Sequence, residues 1–382
     1  MRKSLLLFAA AAMVVAACSQ KSCETSNLET IDFDFDKATE SFDLKTLFDS
    51  VSYEVITLET TDDCLIGEVS KIVFRNDTIF VADKTTKSLF IFNGKGKYLS
   101  KICHSGRARQ EYMDLTDVFI ADDHILVLDN YQSKLCCYDF NGRFRYAIDT
   151  QEGMRIYKSD GKIFVCTTCN GGSEWNSHQM VAFDTTGHIV SSYFKMTEAD
   201  IKLNDFYNHF IPKGNVFEHV QPSTNIVYTY TNGKFTPSYK IDFGDKVMPT
   251  EIAKKDILYI IQNGLDQLYC YGVENIEYLD RYRIINSVFN KLRYYLVYDT
   301  VEKTTIATSI RIKCEGMLWS RDHFINENQL YYYLDAGFIC KFYKEDWKIE
   351  PPQNNGDRQL YEATKKLADD DNGVIVRAKF IR

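Results

Sequence analysis

The segment LFIFNGKGKYL, Leu89–Leu99, alternates apolar residues up to Asn93-Gly94 and resumes beyond it, the pattern of two antiparallel strands joined by a tight turn. Whether it is one hairpin or one unit of a series decides the fold, because self-similarity at a fixed period separates propellers and solenoids from ordinary domains. DTIFVADKTTKSLFIFNGKGKYLSKI (Asp77–Ile102) has a counterpart in DHILVLDNYQSKLCCYDFNGRFRYAI (Asp123–Ile148). Both run strand, Asp, polar loop, strand, Asn-Gly turn, strand, with Asp83 answering to Asp129, Lys87 to Lys134 and Gly94 to Gly142. A third copy, GKIFVCTTCNGGSEWNSHQMVAFDTTGHIVSSYF (Gly161–Phe194), turns at Gly187, and a fourth, NVFEHVQPSTNIVYTYTNGKFTPSYKIDF (Asn215–Phe243), at Gly233. The four glycines are spaced by 48, 45 and 46 residues, one four-stranded propeller blade per repeat.

Two weaker copies complete the count. RYRIINSVFNKLRYYLVYDTVEKTTIATSIRI (Arg281–Ile312) keeps the three-strand cadence, and NQLYYYLDAGFICKFY (Asn328–Tyr343) is expected to supply a strand pair. Ile252, Ile257, Ile260 and Ile261 recur at helical spacing, which predicts a helical insertion near 250–264; DRQLYEATKKLADD predicts another over 357–368. The strand SYEVITLE (Ser52–Glu59) and the terminal strand GVIVRAKFI (Gly373–Ile381) have no local partners. Pairing them with each other closes the ring and removes an aggregation-prone edge. The fold class expected is all-β, a six-bladed β-propeller spanning residues 51–382, and 25 Tyr with 25 Phe suit sheets packed face to face.

The chain opens MRKSLLLFAAAAMVVAAC, with Arg2 and Lys3 before an apolar run that ends in small residues, as a secretory signal does. Val15-Ala16-Ala17-Cys18 resembles the bacterial lipobox, in which the signal is cut before Cys and that Cys carries the lipid; the resemblance makes residues 1–17 the signal and Cys18 the anchor. Residues 18–50 then read as a polar, acidic tether, although IDFDFD within them has the period of a strand. Loss of the signal moves the formal net charge from −8 to −10. That balance argues against nucleic acid as partner and leaves the lipid as the sole membrane contact. The chain has 11 Cys, but Cys136 and Cys137 are adjacent in a strand and point to opposite faces. At most one or two disulfides are expected, and no disulfide scaffold.

YEVITLETTDDCLIGEVSKIVF, FTPSYKIDFGDKVMP and LADDDNGVIVRAKF resemble the start, middle and end of the six-bladed β-propeller lipoproteins of Bacteroidetes, distant relatives of the NHL-repeat propellers. The resemblance covers about residues 51–382. It implies a fold and a cell-envelope address, on the outer membrane and facing the periplasm or the outside, but no reaction. Where many members carry a GxGPGEY loop, this chain has HSGRARQEY, keeping Gly106, Glu111 and Tyr112 and lacking the Pro.

Propeller topology puts the loops joining strands two and three, and those joining blade to blade, on one face, which we call the connection face. Loops above a rigid scaffold are where binding residues gather. The candidates there are His104, Arg107, Arg109, Glu111 and Tyr112, which pair a planar donor fork with a stacking surface, and Trp175 and His178 at the tip of the Thr167–His178 loop. Asp83 and Asp129 are read as turn-shaping acceptors. Cys166, Cys169 and His178 make half a zinc site, so neither a metal nor a cofactor is expected. The sequence has no Gly-x-Ser-x-Gly elbow, His-Glu-x-x-His helix, P-loop or dinucleotide fingerprint. The function expected is a non-enzymatic binding module for an envelope protein, peptide or glycan. The alternative from another class is a metal-assisted lyase or hydrolase acting on a carbohydrate or lactone in the channel.

Overall fold

In the computed structural model, which describes residues 28–150, 152–167, 177–203, 210–214, 216–314, 317–318, 323–326, 328–349 and 352–382, six antiparallel four-stranded sheets form a β-propeller. Blade one is built of Val69–Arg75, Thr78–Asp83, Ser88–Asn93 and Tyr98–Ile102, from the innermost strand outward. Blade two is Asp117–Ile120, Ile125–Asp129, Lys134–Tyr138 and Phe144–Asp149; blade three is Gly153–Ser159, Lys162–Thr167, His178–Phe183 and Ile189–Lys195. Blade four is Ile211–Lys213, Val216–Gln221, Ile226–Thr231 and Lys234–Asp242; blade five is Val273–Leu279, Tyr282–Phe289, Leu292–Asp299 and Thr305–Cys314. Blade six takes His323–Asn326, Gln329–Leu334 and Val374–Ile381 from the C-terminal end and its outermost strand, Ser50–Thr57, from the N-terminal end. That pairing is antiparallel from Val374↔Thr57 to Ile381↔Ser50, so the ring closes as expected.

Each interface between neighbouring blades has its own apolar cluster. Alternation in the strands supplies both walls: Cys136 packs between blades one and two, and its neighbour Cys137 between blades two and three. Neither forms a disulfide, nor do Cys64, Cys103, Cys270 and Cys340.

The hairpin that revealed the repeat is built differently from its Asn-Gly reading. Asn93 N–H donates to Lys97 O, Gly96 N–H donates to Asn93 O, and the Asn93 Oδ1 accepts from Lys95 N and Lys97 N, both at 3.0 Å. Gly96, not Gly94, holds the left-handed conformation, with φ +80°. Asp139 and Gly142 repeat this turn, as do Asp184 and Gly187. The repeating unit is therefore Asn/Asp-x-x-Gly, a turn closed by a left-handed Gly at a bulge. A true two-residue Asn-Gly turn occurs at Asn232-Gly233, where both φ are positive. Likewise Lys87 matches Ser133, not Lys134, since these two share a φ near +50°.

Two further expectations are corrected. Residues 28–50 are not a tether: Glu29–Asp32 pairs in parallel with the outer strand of blade four, and Thr39–Asp43 with that of blade five. Those outer strands are 9 and 10 residues long, and the N-terminal segment covers what would otherwise be long open edges. The IDFDFD alternation is realised, with Ile31, Phe33 and Phe35 buried against Phe243 and Phe289. In the second case, Gln329–Leu334 is a strand but AGFICKFY is helical, because Asp335 caps it by accepting from Phe338 N at 3.0 Å. The expected insertions form at Thr250–Ala253 with Ile257–Gln262, and at Asn355–Thr364.

Candidate functional site

All innermost strands run from the connection face toward the opposite face, so the residues that begin them ring one mouth of the central channel. All six blades line a single cavity of about 500 Å³ there. Its character changes with depth. Near the connection face stand Lys71, Asp117, Arg155, Asn275 and His323, with Lys84 above them on the loop between the second and third strands of blade one. Deeper lie Val73, Phe119, Tyr157, Tyr278, Phe324 and Ile325.

Several of the polar groups are already engaged. Lys71 Nζ is 2.7 Å from Asp117 Oδ1 and donates at the same distance to Val118 O. Asp117, 6% exposed, accepts the Ile156 N–H on its other oxygen at 2.9 Å, so one carboxylate joins three blades. His323 Nε2 lies 2.8 Å from Glu277 Oε2, across blades five and six. Arg155 differs: its one hydrogen bond among the described residues runs from Nη1 to Met154 O on its own strand, and it has no carboxylate partner among them. Arg155 is exposed where it lines the mouth.

The residues expected from sequence lie further out, and most of them build the scaffold. Tyr112 is fully buried, its hydroxyl 2.9 Å from Lys87 O and 3.2 Å from Ile102 O; burial drives its pKa well above the usual phenol range. His104 donates from Nε2 to Gly142 O at 2.7 Å and stacks on Tyr138. Glu111 Oε2 accepts from Ala108 N at 2.9 Å, and a Cβ on Gly106 would fall 2.0 Å from that oxygen, so a side chain there would displace the Glu111 carboxylate. Arg109 donates to Ala147 O at 2.9 Å, leaving exposed Arg107 as the outward-facing group of the loop. His178 starts a blade-three strand, its Nδ1 3.0 Å from Ser177 Oγ. Trp175, Cys169 and Cys18 lie outside the described residues. Cys166 is buried between blades three and four, and among the described residues no three His, Cys, Asp or Glu side chains converge to hold a metal ion.

Asp83 and Asp129 are turn-shapers, as read from sequence. Asp83 accepts from Glu68 N, Thr85 N and Thr86 N; Asp129 accepts from Met113 N and Gln132 N. Each also ties the incoming blade-to-blade loop to its blade. The channel residues carry a sequence signal of their own: polar side chains near the start of a blade's first strand, as in VSKIVF, DVFI, GMRIY and VENIEYL.

A six-bladed β-propeller with a polar-mouthed, aromatic-walled channel is the class that fold and site define. The chain belongs to the family described as Domain of unknown function (DUF4934), whose model matches residues 28–379. That span includes the N-terminal strands on blades four and five. A Bacteroides fragilis protein described as exported shares the fold at a TM-score of 0.72 and 17% identity, covering 92% of this chain and 100% of that one. A member of the DUF4221 family from Bacteroides vulgatus matches at a TM-score of 0.48 and 11% identity, over 86% of this chain and 99% of that one. Virginiamycin B lyase from Staphylococcus aureus matches at 0.41 and 12%, over 74% and 82%. No curated protein matches the chain. Among the described residues no helix is long and apolar enough to cross a membrane.

Proposed function

We propose that this protein is an exported lipoprotein, held at the bacterial cell envelope by lipid on Cys18, whose propeller binds a protein, peptide or glycan without catalysing a reaction. The observation that carries the reading is the amphipathic channel opening on the connection face. Its mouth offers donors and acceptors at set positions, and its walls offer rings on which a sugar or apolar side chain stacks. Asp117 and Glu277, which an acid/base mechanism would recruit, are engaged with Lys71, Ile156 N–H and His323. Arg107 on the outer rim extends the proposed surface. Export agrees with the description of the Bacteroides fragilis protein of the same fold.

The test is capture from the native envelope with the full-length lipoprotein, alongside the Arg155→Ala and Arg107→Ala variants. A partner retained by the wild type and lost with Arg155→Ala supports the reading, and recovery of the same set by all three proteins refutes it. Labelled fatty acid entering a Cys18→Ser variant would remove the anchor.

A further inference from the structure

The mouth of the channel carries cations that no carboxylate among the described residues answers. In a chain of formal net charge −8, the described residues of the cavity lining include three permanent cations, Lys71, Lys84 and Arg155, and two carboxylates, Asp117 and Glu277. The Asp117 carboxylate answers Lys71, and Glu277 is hydrogen-bonded to His323 at 2.8 Å. Lys84 and Arg155 have no ion pair among the described residues, and both are exposed toward the mouth. By contrast, Arg283 lies against Glu29 and Arg293 against Glu274, in the wedge between blades and within blade five.

Resting on the reading of the channel as the ligand site, we infer that the part of the ligand entering it is an aryl carboxylate: the carboxylate gripped at the mouth by Arg155 and Lys84, with the apolar, aromatic body lying deeper. The guanidinium fork matches a carboxylate in a two-point geometry that an ammonium alone does not. Below it, the half-buried rings of Phe119 and Tyr157 meet edge to face, and Tyr278 and Phe324, packed against neighbouring blades, complete the lining with aliphatic Val73 and Ile325. The cavity, about 500 Å³, is in the size range of small-molecule sites (roughly 300–1,000 Å³). A purely polar anion leaves this lower half unfilled, and a neutral aryl group leaves the two cations unanswered.

The experiment is calorimetric titration of the whole mature chain, into the millimolar range, with phenylacetate, its neutral isostere phenylacetamide, and inorganic phosphate. Phenylacetate is expected to bind at least about tenfold more tightly than either comparison probe, the scale of one charge-assisted pair. Arg155→Ala lowers phenylacetate affinity by about tenfold or more with an unchanged melting temperature, and Arg155→Lys recovers part of the loss. Lys95→Ala, in a turn on the opposite face, leaves binding unchanged. Equal affinity for the amide, equal affinity for phosphate, indifference to Arg155→Ala, or binding of no probe each overturns the inference. The broader reading of the protein as a binding module stands or falls separately, on the envelope capture.

Discussion

Blades one to three and blades four to six do the same geometric work in different ways. The first three are near copies: left-handed glycines at Gly96, Gly142 and Gly187 recur at spacings of 46 and 45 residues, one per Asn/Asp-x-x-Gly turn. Asp83 and Asp129 tie loop to blade in the same way. The second half has longer outer strands, helices between and within its blades, and a covering N-terminal segment. Its interfaces are also less uniform: aromatic between blades three and four, and threaded with charge between four and five. There Glu218, fully buried, accepts from Lys213 at 2.7 Å, Thr229 at 3.1 Å, Tyr239 at 3.0 Å and the Tyr278 hydroxyl. A repeat that closes on itself needs one region where the two chain ends meet, and irregularity collects there.

One deletion and four substitutions break or sharpen this contrast. The largest effect is expected from deleting Val374–Arg382, which removes a strand from the middle of blade six and strands Ser50–Thr57 without a partner. Loss of most of the stability, which for a domain is about 5–15 kcal/mol, is expected in denaturant titration. A truncated chain that melts like the full-length one would break the closure.

Next comes Phe33→Ala, which tests whether the N-terminal segment belongs to the fold. Phe33 is 1% exposed, with its ring 4.9 Å from that of Phe35 and 5.3 Å from that of Phe243. Truncation should cost about 3 kcal/mol, as for other buried aromatics. A tether would register no change.

Gly96→Ala and Gly233→Ala sharpen the comparison at the level of one turn. Both positions have positive φ, but a Cβ at Gly96 would sit 2.2 Å from Thr57 O, whereas at Gly233 it meets open space. The first should therefore cost about 2 kcal/mol more than the second, whose penalty of about 1 kcal/mol is backbone strain alone. Equal losses would show that the clasp strand can move aside.

The smallest effect is one of pH. Burial raises the Glu29 pKa, but hydrogen bonds from Lys303 and Tyr298 and the charge of Arg283 outweigh it and bring the value down to about 2. A carboxylate held below its unfolded value adds stability above that value. The contribution should be complete above about pH 4.5 and fade as the pH falls toward 2. Glu29→Gln should lower the melting temperature at pH 7 and flatten its dependence on pH over that window. An unaltered acid limb would exclude Glu29 from it.

How much was legible in the sequence follows the same division. Period, blade count, the two helical insertions and the closing strand pair could be read because each rests on local alternation, turn residues and helical spacing. The sequence places the loop at His104–Tyr112 between blades one and two, as observed, but does not reveal that His104, Arg109, Glu111 and Tyr112 are spent on holding it down. Hydrogen bonds to carbonyls of distant strands, such as His104 to Gly142 and Arg109 to Ala147, have no signature in a linear pattern.

By itself, then, the sequence determined the repeat and the ring, since the Asn/Asp-x-x-Gly turns and alternating strands act within one blade's length. Only the tertiary structure decided the rest. The residues 28–43 became part of blades four and five because long outer edges lay open beside them, more than 200 residues away along the chain. The channel mouth gathered Lys71, Asp117, Arg155 and His323 because closing a ring brings the first strand of every blade to one axis. No window of sequence contains that neighbourhood.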